Sequence, residues 1–223
     1  MSDDAEASIF EPPAWDERYS GEGRIWSGDP NVQLVAEAAD LSPGTALDVG
    51  CGEGGDVVWL AQRGWTVTGA DFSAAGLARA ARHAEEAGVA DRTDWWQVDA
   101  REFDAGGRAY DLVSTQYLHP PDGGMVDVVR RLAAAVAPGG HLLVVGHAPP
   151  KDPSDAHHPS ARRRAMFLAA DLLPGLPPDF EPLIIEQRPH PVTRDGKKLE
   201  IDDSTLLARR RASDAGSGQL HDR

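Results

Sequence analysis

The sequence predicts a doubly wound α/β fold, built on a mostly parallel seven-stranded sheet that ends in an antiparallel C-terminal hairpin. Three observations carry this expectation. Short β-prone runs alternate with helix-like runs from about residue 41 to residue 146, and such alternation calls for a parallel sheet covered by helices on both faces and wound by right-handed crossovers. The first β-prone run, Ala46-Leu47-Asp48-Val49, passes straight into a turn carrying Gly50, Gly52, Gly54 and Gly55. Glycines there let the backbone turn tightly and approach a ligand, while the helix that follows presents unpaired N–H groups. The last two runs, 180–187 and 201–209, are joined by the polar Arg194-Asp195-Gly196-Lys197-Lys198 with no helix between them, the pattern of a hairpin.

Taken in order, residues 1–13 are expected to be loosely packed. The aromatics Trp15, Tyr19 and Trp26 then crowd an otherwise polar stretch, which predicts that this stretch packs on something. Residues 31–39 have helical spacing in Val32, Val35, Ala36 and Ala39, and Ser42-Pro43-Gly44 ends the helix before the first strand. After the glycine turn a helix is predicted over 57–63, stopped by Gly64. The second strand, 65–70, ends in Asp71. Ser73 then caps a helix over 73–88 that Gly88 terminates. The third strand, 95–98, ends in Asp99, and the fourth, 110–115, ends near Gln116. A helix over 125–136, a turn at Pro138-Gly139-Gly140 and a fifth strand over 141–146 complete the alternating part. Residues 152–160 read as a polar loop, 162–173 as an amphipathic helix, and 174–178 as a stiff connector. The implied organisation is an N-terminal lid segment over 1–40, one domain over 41–211 and a flexible tail over 212–223.

Composition narrows the function classes. At 223 residues and 41% hydrophobic content the chain suits one domain with a substantial core. Its 22 Lys and Arg against 36 Asp and Glu give a formal charge of −14, which argues against nucleic acid as a partner, because that affinity depends on cations neutralising phosphates. Cys51 is the single cysteine, so no internal disulfide can form and a cytoplasmic location is expected. Residues 1–8 are acidic and lack an apolar stretch, so no signal peptide or membrane anchor is read there.

Two acids flank the glycine turn, Asp48 and Glu53. They would repel a pyrophosphate and suit a ligand with hydroxyls, an amine or a positive charge. Asp71 lies about 20 residues beyond the glycines at the end of the second strand, where a carboxylate can accept both hydroxyls of a ribose. Asp48 and Asp71 could instead only cap the helices that follow them. Cys51 reads as a small residue beside a close ligand rather than a nucleophile.

These elements in this order resemble the class I S-adenosylmethionine-dependent methyltransferases, with Asp48-x-Gly50-x-Gly52-x-Gly54, Asp71, Asp99, Tyr110-Asp111-Leu112-Val113 and Pro138-Gly139-Gly140 as the matching motifs. The aromatic N-terminal stretch with Trp26 and Pro30-Asn31 is similar to the small-molecule branch that includes thiopurine and tellurite-resistance enzymes. The resemblance implies a Rossmann-like methyltransferase fold with S-adenosyl-L-methionine as cofactor and a small-molecule acceptor. It implies that Gly50, Cys51 and Gly52 pass under the methionine part and that Asp48 acts on its amino group. By the same resemblance, Asp71 takes the ribose hydroxyls, Phe72 lies on the adenine face, Asp99 takes the adenine amine beside the Ala100 N–H, and Gln116 borders cofactor and acceptor. Tyr19 and Trp26 are expected in the lid, where aromatic faces attract a sulfonium. His119 and His147, in the loops after the fourth and fifth strands, are the candidate bases, with Tyr117 nearby. Each histidine could equally be hydrogen-bonded to loop backbone. His157 and His158 raise a metal site, but no ligand spacing supports one, and none is predicted. The run Arg162-Arg163-Arg164 could face an anionic substrate or solvent. Two other readings remain at this stage: an NAD-dependent oxidoreductase, whose loop would follow G-x-G-x-x-G instead, and a non-catalytic regulatory protein that binds the same cofactor. The sequence leaves the oligomeric state open.

Overall fold

The computed structural model describes residues 10–120, 124–150, 163, 165–194 and 197–212. Two N-terminal helices, α1 (Pro12–Ser20) and α2 (Val32–Ala38), precede β1 (Thr45–Val49), α3 (Gly55–Gln62), β2 (Thr66–Asp71), α4 (Ala74–Glu86), β3 (Thr93–Gln97), β4 (Tyr110–Gln116), α5 (Met125–Ala134) and β5 (Val136–His147). A 3₁₀ helix, Ala169–Gly175, leads into β6 (Phe180–Arg194) and β7 (Lys197–Arg210). The seven strands lie in the order β3-β2-β1-β4-β5-β7-β6. The first five are parallel, and β7 runs antiparallel to both β5 and β6. Chain order reverses between β1 and β4, so a crevice opens beyond the carboxyl ends of those two strands, the usual ligand position in such sheets.

Side-chain alternation along the strands sorts the core into two layers. Leu47, Val49, Val113, Leu142, Val144, Leu206 and Ala208 face one layer, where Val128, Val129 and Leu132 of α5 and Leu172 cover them. Ala46, Leu112, Leu143, Val145 and Leu207 face the other, against Leu34 of α2, Leu60 of α3 and Trp65. A strand period of two inside a sheet buried on both faces produces this division. Each fully buried leucine contributes about 2 kcal/mol of transfer free energy.

The caps explain where the helices begin. The Asn31 side chain accepts from the N–H groups of Gln33 and Leu34 at the start of α2. Ser73 accepts from Gly76 at the start of α4, as the sequence predicts. The N-terminal segment is more ordered than expected from Pro12 onward, because prolines fit the first helical turn.

Two expectations need correction. Pro138-Gly139-Gly140 is not a turn ahead of a strand but an irregularity inside β5: Tyr110 pairs with Val136 and Leu112 with His141, so pairing continues on both sides of it. The amphipathic helix over 162–173 is also replaced. Among the described residues of this stretch Arg163 is helical, residues 166–168 are not, and Ala169–Gly175 forms a 3₁₀ helix. The Phe167 N–H donates to the His147 carbonyl (3.4 Å) and the Leu168 N–H to Asp171 Oδ2 (3.2 Å), while Pro174 removes a donor. Tertiary anchoring outweighs the local periodicity. Residues 1–9, 151–162 and 213–223, with His157, His158 and the tail, lie outside the described residues. No helix among the described residues is long and apolar enough to cross a membrane.

Candidate active site

The glycine turn after β1 is pinned from two sides. The N–H groups of Gly50 and Cys51 both donate to the Ala70 carbonyl of β2, at 2.7 and 3.1 Å. Asp71 then accepts from the Gly52 N–H (2.9 Å) and the Ser73 N–H (2.8 Å), locking the first turn to the second. Asp71 therefore caps the start of the next turn and still holds unused acceptor capacity on each oxygen. Burial pushes its carboxyl pKa up, against the pull of those N–H groups. Gly54 has φ +79, and a Cβ there would lie 2.9 Å from that of Ala80, so close approach of turn and α4 requires glycine. The Cys51 sulfur lies against Gly69, and burial keeps its thiol protonated well above its usual range.

Asp48 is 1% exposed and accepts from Ser114 Oγ (3.0 Å) in the adjacent β4. Gln116, with its amide nitrogen turned toward the acids, donates to Asp48 (2.8 Å) and Asp56 (3.2 Å). Asp56 also accepts the Asn31 N–H (2.6 Å). Burial raises both pKa values, Asp48 far above its usual range with Asp56 adding repulsion, and Asp56 to about 6. Two carboxyls thus sit together in a crevice, Asp48 buried and Asp56 half-buried, with amides and a hydroxyl as partners, an arrangement that a positively charged ligand group would relieve.

Glu53 does a different job from the one expected of it. It forms a buried ion pair with Arg79 of α4 at 2.7 Å and accepts the N–H groups of Ile25 (3.0 Å) and Trp26 (3.1 Å). Arg79 donates onward to the carbonyls of Gly21 and Gly23. These bonds clamp the N-terminal segment over the glycine turn. Tyr19 is 4% exposed, and its hydroxyl receives the indole N–H of Trp26 (3.3 Å) and lies 2.7 Å from where a Cβ on Gly52 would stand. Burial raises the Tyr19 phenol pKa, so it stays protonated. Arg18 lies 5.0 Å from both the Trp15 and the Trp26 ring.

Asp99 follows β3, and its carboxylate is engaged by Arg101, whose guanidinium reaches it at 2.7 Å and Glu11 at 3.0 Å. Arg101 outweighs partial burial and holds the Asp99 pKa below the usual range. Ala100 is buried beside it, and Phe72 is half-buried, its carbonyl accepting from the Gln97 amide (3.2 Å).

Beyond the ends of β4 and β5, both ring nitrogens of His119 are engaged. Nδ1 donates to the Ala165 carbonyl (3.0 Å), and Nε2 accepts the His147 N–H (3.3 Å). Burial lowers its pKa to about 4, so it is neutral at pH 7. His147 stacks between His119 (5.3 Å) and Tyr117 (4.5 Å). Tyr117 reaches Asp203 of β7 and His190 of β6, two residues the sequence reading passed over. The available signal was an acid inside a β-prone run, Ile201-Asp202-Asp203-Ser204-Thr205. Asp56 and Arg79 were passed over as well, each being an ordinary helix residue until packing places it. Among the described residues no group of three or more His, Cys, Asp or Glu is placed to hold a metal ion.

Comparison with known proteins agrees with this geometry. Residues 46–140 match a family model described as "Methyltransferase domain". A "Ubiquinone biosynthesis O-methyltransferase" of Pseudomonas paraeruginosa is 36% identical over 149 residues, covering 64% of this chain and 62% of its own length. The chain thus spans somewhat under two thirds of that relative. A structure solved for "Conversion of a Disulfide Bond into a Thioacetal Group during Echinomycin Biosynthesis" superposes with a TM-score of 0.71 over 94% of this chain and 93% of its own, at 21% identity. A magnesium protoporphyrin IX methyltransferase from Synechocystis PCC 6803 with bound SAH superposes with a TM-score of 0.63 over 94% of this chain and 100% of its own, at 20% identity. Both structures share the fold.

Proposed function

We propose that this chain, whose residues 46–140 form a class I S-adenosylmethionine-dependent methyltransferase domain, transfers a methyl group from S-adenosyl-L-methionine to a small-molecule acceptor. The observation that carries the reading is the pair of neighbouring carboxyls, buried Asp48 and half-buried Asp56, bridged by Gln116 at the switch point of the sheet. A crevice that concentrates acids calls for an ammonium and a sulfonium rather than a pyrophosphate, which separates this site from a nicotinamide site.

The residue roles follow. Asp48 receives the amino group, with Gln116 beside it. Gly50, Cys51 and Gly52 offer a backbone surface to the methionine part. Asp71 accepts the ribose hydroxyls with the capacity its two N–H bonds leave. Phe72 covers the adenine, Ala100 offers its N–H, and Asp99 accepts the amine on the edge that Arg101 leaves open. Trp26 and Tyr19 close the site from above and exclude water. When bound, the cofactor supplies an electrophilic methyl on a sulfonium. The chain supplies alignment, desolvation and a proton acceptor where the acceptor needs one. His119 and His147 line the acceptor side.

Calorimetric titration with S-adenosylhomocysteine tests the reading. Binding is expected, and Asp71→Ala should weaken it tenfold or more, the scale on which a bidentate carboxylate contact operates. No binding by the unaltered chain would end it.

A further inference from the structure

The acceptor side contains a buried acid that the reading above does not use. Asp203 is 0% exposed. Among the described residues the groups within ion-pair reach of it that can become cationic are the imidazoles of His190 (3.0 Å) and His147 (3.9 Å). Three donors converge on it: the Tyr117 hydroxyl at 3.1 Å from each oxygen, His190 Nδ1, and the Gln33 amide at 3.3 Å. A carboxylate 3.0 Å from a ring nitrogen requires a proton on that nitrogen, since two lone pairs would otherwise face each other. The phenol oxygen, 2.7 Å from the same Nδ1, shares that proton, and the phenol proton goes to Asp203. His190 is therefore fixed as the Nδ1–H form. Its Nε2, on the opposite side of a ring whose side chain is 25% exposed, is then the nitrogen with the lone pair.

The backbone adds an independent observation. Tyr117 is the one non-glycine residue with positive φ, +54, among the described residues. It follows Gln116 directly, its N–H is tied to the Val145 carbonyl (2.8 Å), and its ring lies between His147 and His190. Strain of this kind persists where surrounding contacts over-determine it, and it clusters at functional sites. Here it aims a phenol from the end of β4 at Asp203.

We infer that Asp203 is the positioning residue of a proton-accepting histidine, His190, held with Tyr117 at the acceptor end of the site, and that the acceptor carries a hydroxyl group. The inference rests on the methyltransferase reading. In the step, the acceptor O–H bond breaks and an N–H bond forms at His190 Nε2. The electron pair stays on oxygen, which becomes the nucleophile, and the imidazolium charge is balanced by Asp203. A thiol gives up its proton near neutrality and needs no such base, whereas a phenol or alcohol does. Among the described residues the titratable groups in contact with His190 are Asp203 of β7 and Tyr117 after β4; His147 of β5 lies against the same Tyr117 ring, and Arg188, two positions before His190 in β6, is neutralised by Glu37 (2.6 Å) and Glu186 (2.9 Å).

Methyl transfer to catechol and to thiophenol should be measured for the unaltered chain, His190→Gln, Asp203→Asn and Tyr117→Phe, with S-adenosylhomocysteine titration alongside. His190→Gln should lower kcat for catechol by about a hundredfold or more, with S-adenosylhomocysteine binding unchanged within about twofold and thiophenol methylation spared. Asp203→Asn should displace the low-pH limb of the catechol profile. Nitrogen-15 spectra of the unaltered chain should show His190 as the Nδ1–H tautomer, a readout that needs no turnover. Catechol activity retained in His190→Gln, equal loss on both acceptors, or an Nε2–H form would overturn the inference while leaving the methyltransferase reading standing if S-adenosylhomocysteine binds.

Discussion

At the scale of single residues, the unusual feature is a pair of neighbouring acids, buried Asp48 and half-buried Asp56, that share the Gln116 amide. Asp56 holds its proton up to about pH 6, and burial, with repulsion from Asp56, raises the Asp48 carboxyl well above its usual range. A raised carboxyl pKa in the fold contributes stability below the unfolded value, and that contribution is lost as pH rises through the folded value. The ligand-free chain should therefore lose thermal stability between about pH 5 and about pH 7, a trend that a melting series would reveal. Binding an ammonium reverses the preference, because the cation favours the charged carboxylates and protons must leave. The S-adenosylhomocysteine dissociation constant should accordingly fall about tenfold between about pH 5 and about pH 7. Heat measured in buffers of different ionisation enthalpy should show proton release on binding. Asp48→Asn should flatten both effects, and an affinity independent of pH in the unaltered chain would refute the assignment of these acids to the ammonium.

At the scale of elements, the lid is held by one buried ion pair rather than by its aromatics alone. Arg79 and Glu53 are 9% and 5% exposed at the side chain, and they collect the backbone of Gly21, Gly23, Ile25 and Trp26. Removing one member leaves an uncompensated charge in the interior. Arg79→Met should therefore cost about 3 kcal/mol of stability and release the segment around Gly21 to Trp26, seen as faster amide exchange there while β1 and β4 stay protected. Uniform loss of protection across the sheet would show instead that the pair supports the whole core. This latch also shows where sequence patterns stop. Trp15, Tyr19 and Trp26 announce a packed segment, but Glu53 in a glycine turn reads as a ligand contact, and Arg79, on a helix that also carries Arg82, gives no signal of its partner. The helix expected over 162–173 fails for the same reason: Phe167 is drawn to the His147 carbonyl, a contact 20 residues away in the chain that no local periodicity contains.

At the scale of the whole molecule, legibility divides along the chain. Strand-end acids and glycines sit within a few residues of the turns they build, so Asp48, Asp71 and Asp99 can be placed from the sequence. The acceptor side is assembled by the antiparallel return of β7, which sets Asp203 opposite His147 and brings His190 in on β6. Only topology makes neighbours of Tyr117, His190 and Asp203. Global charge then bears on what can approach that end. With 22 cationic against 36 anionic side chains, the field opposes a polyanion, and backbone phosphates supply most of any nucleic-acid affinity. Of the arginines named here, Arg79, Arg101 and Arg188 are each committed to carboxylates. A structured RNA should therefore show no saturable binding at micromolar chain concentration and physiological salt in a filter-retention assay. Neither S-adenosylhomocysteine nor lower salt should create a site, because neither adds cations to the acceptor end. Saturable binding that weakens steeply with salt would reveal a basic surface and redirect the search for the acceptor from small hydroxyl compounds to nucleic acid.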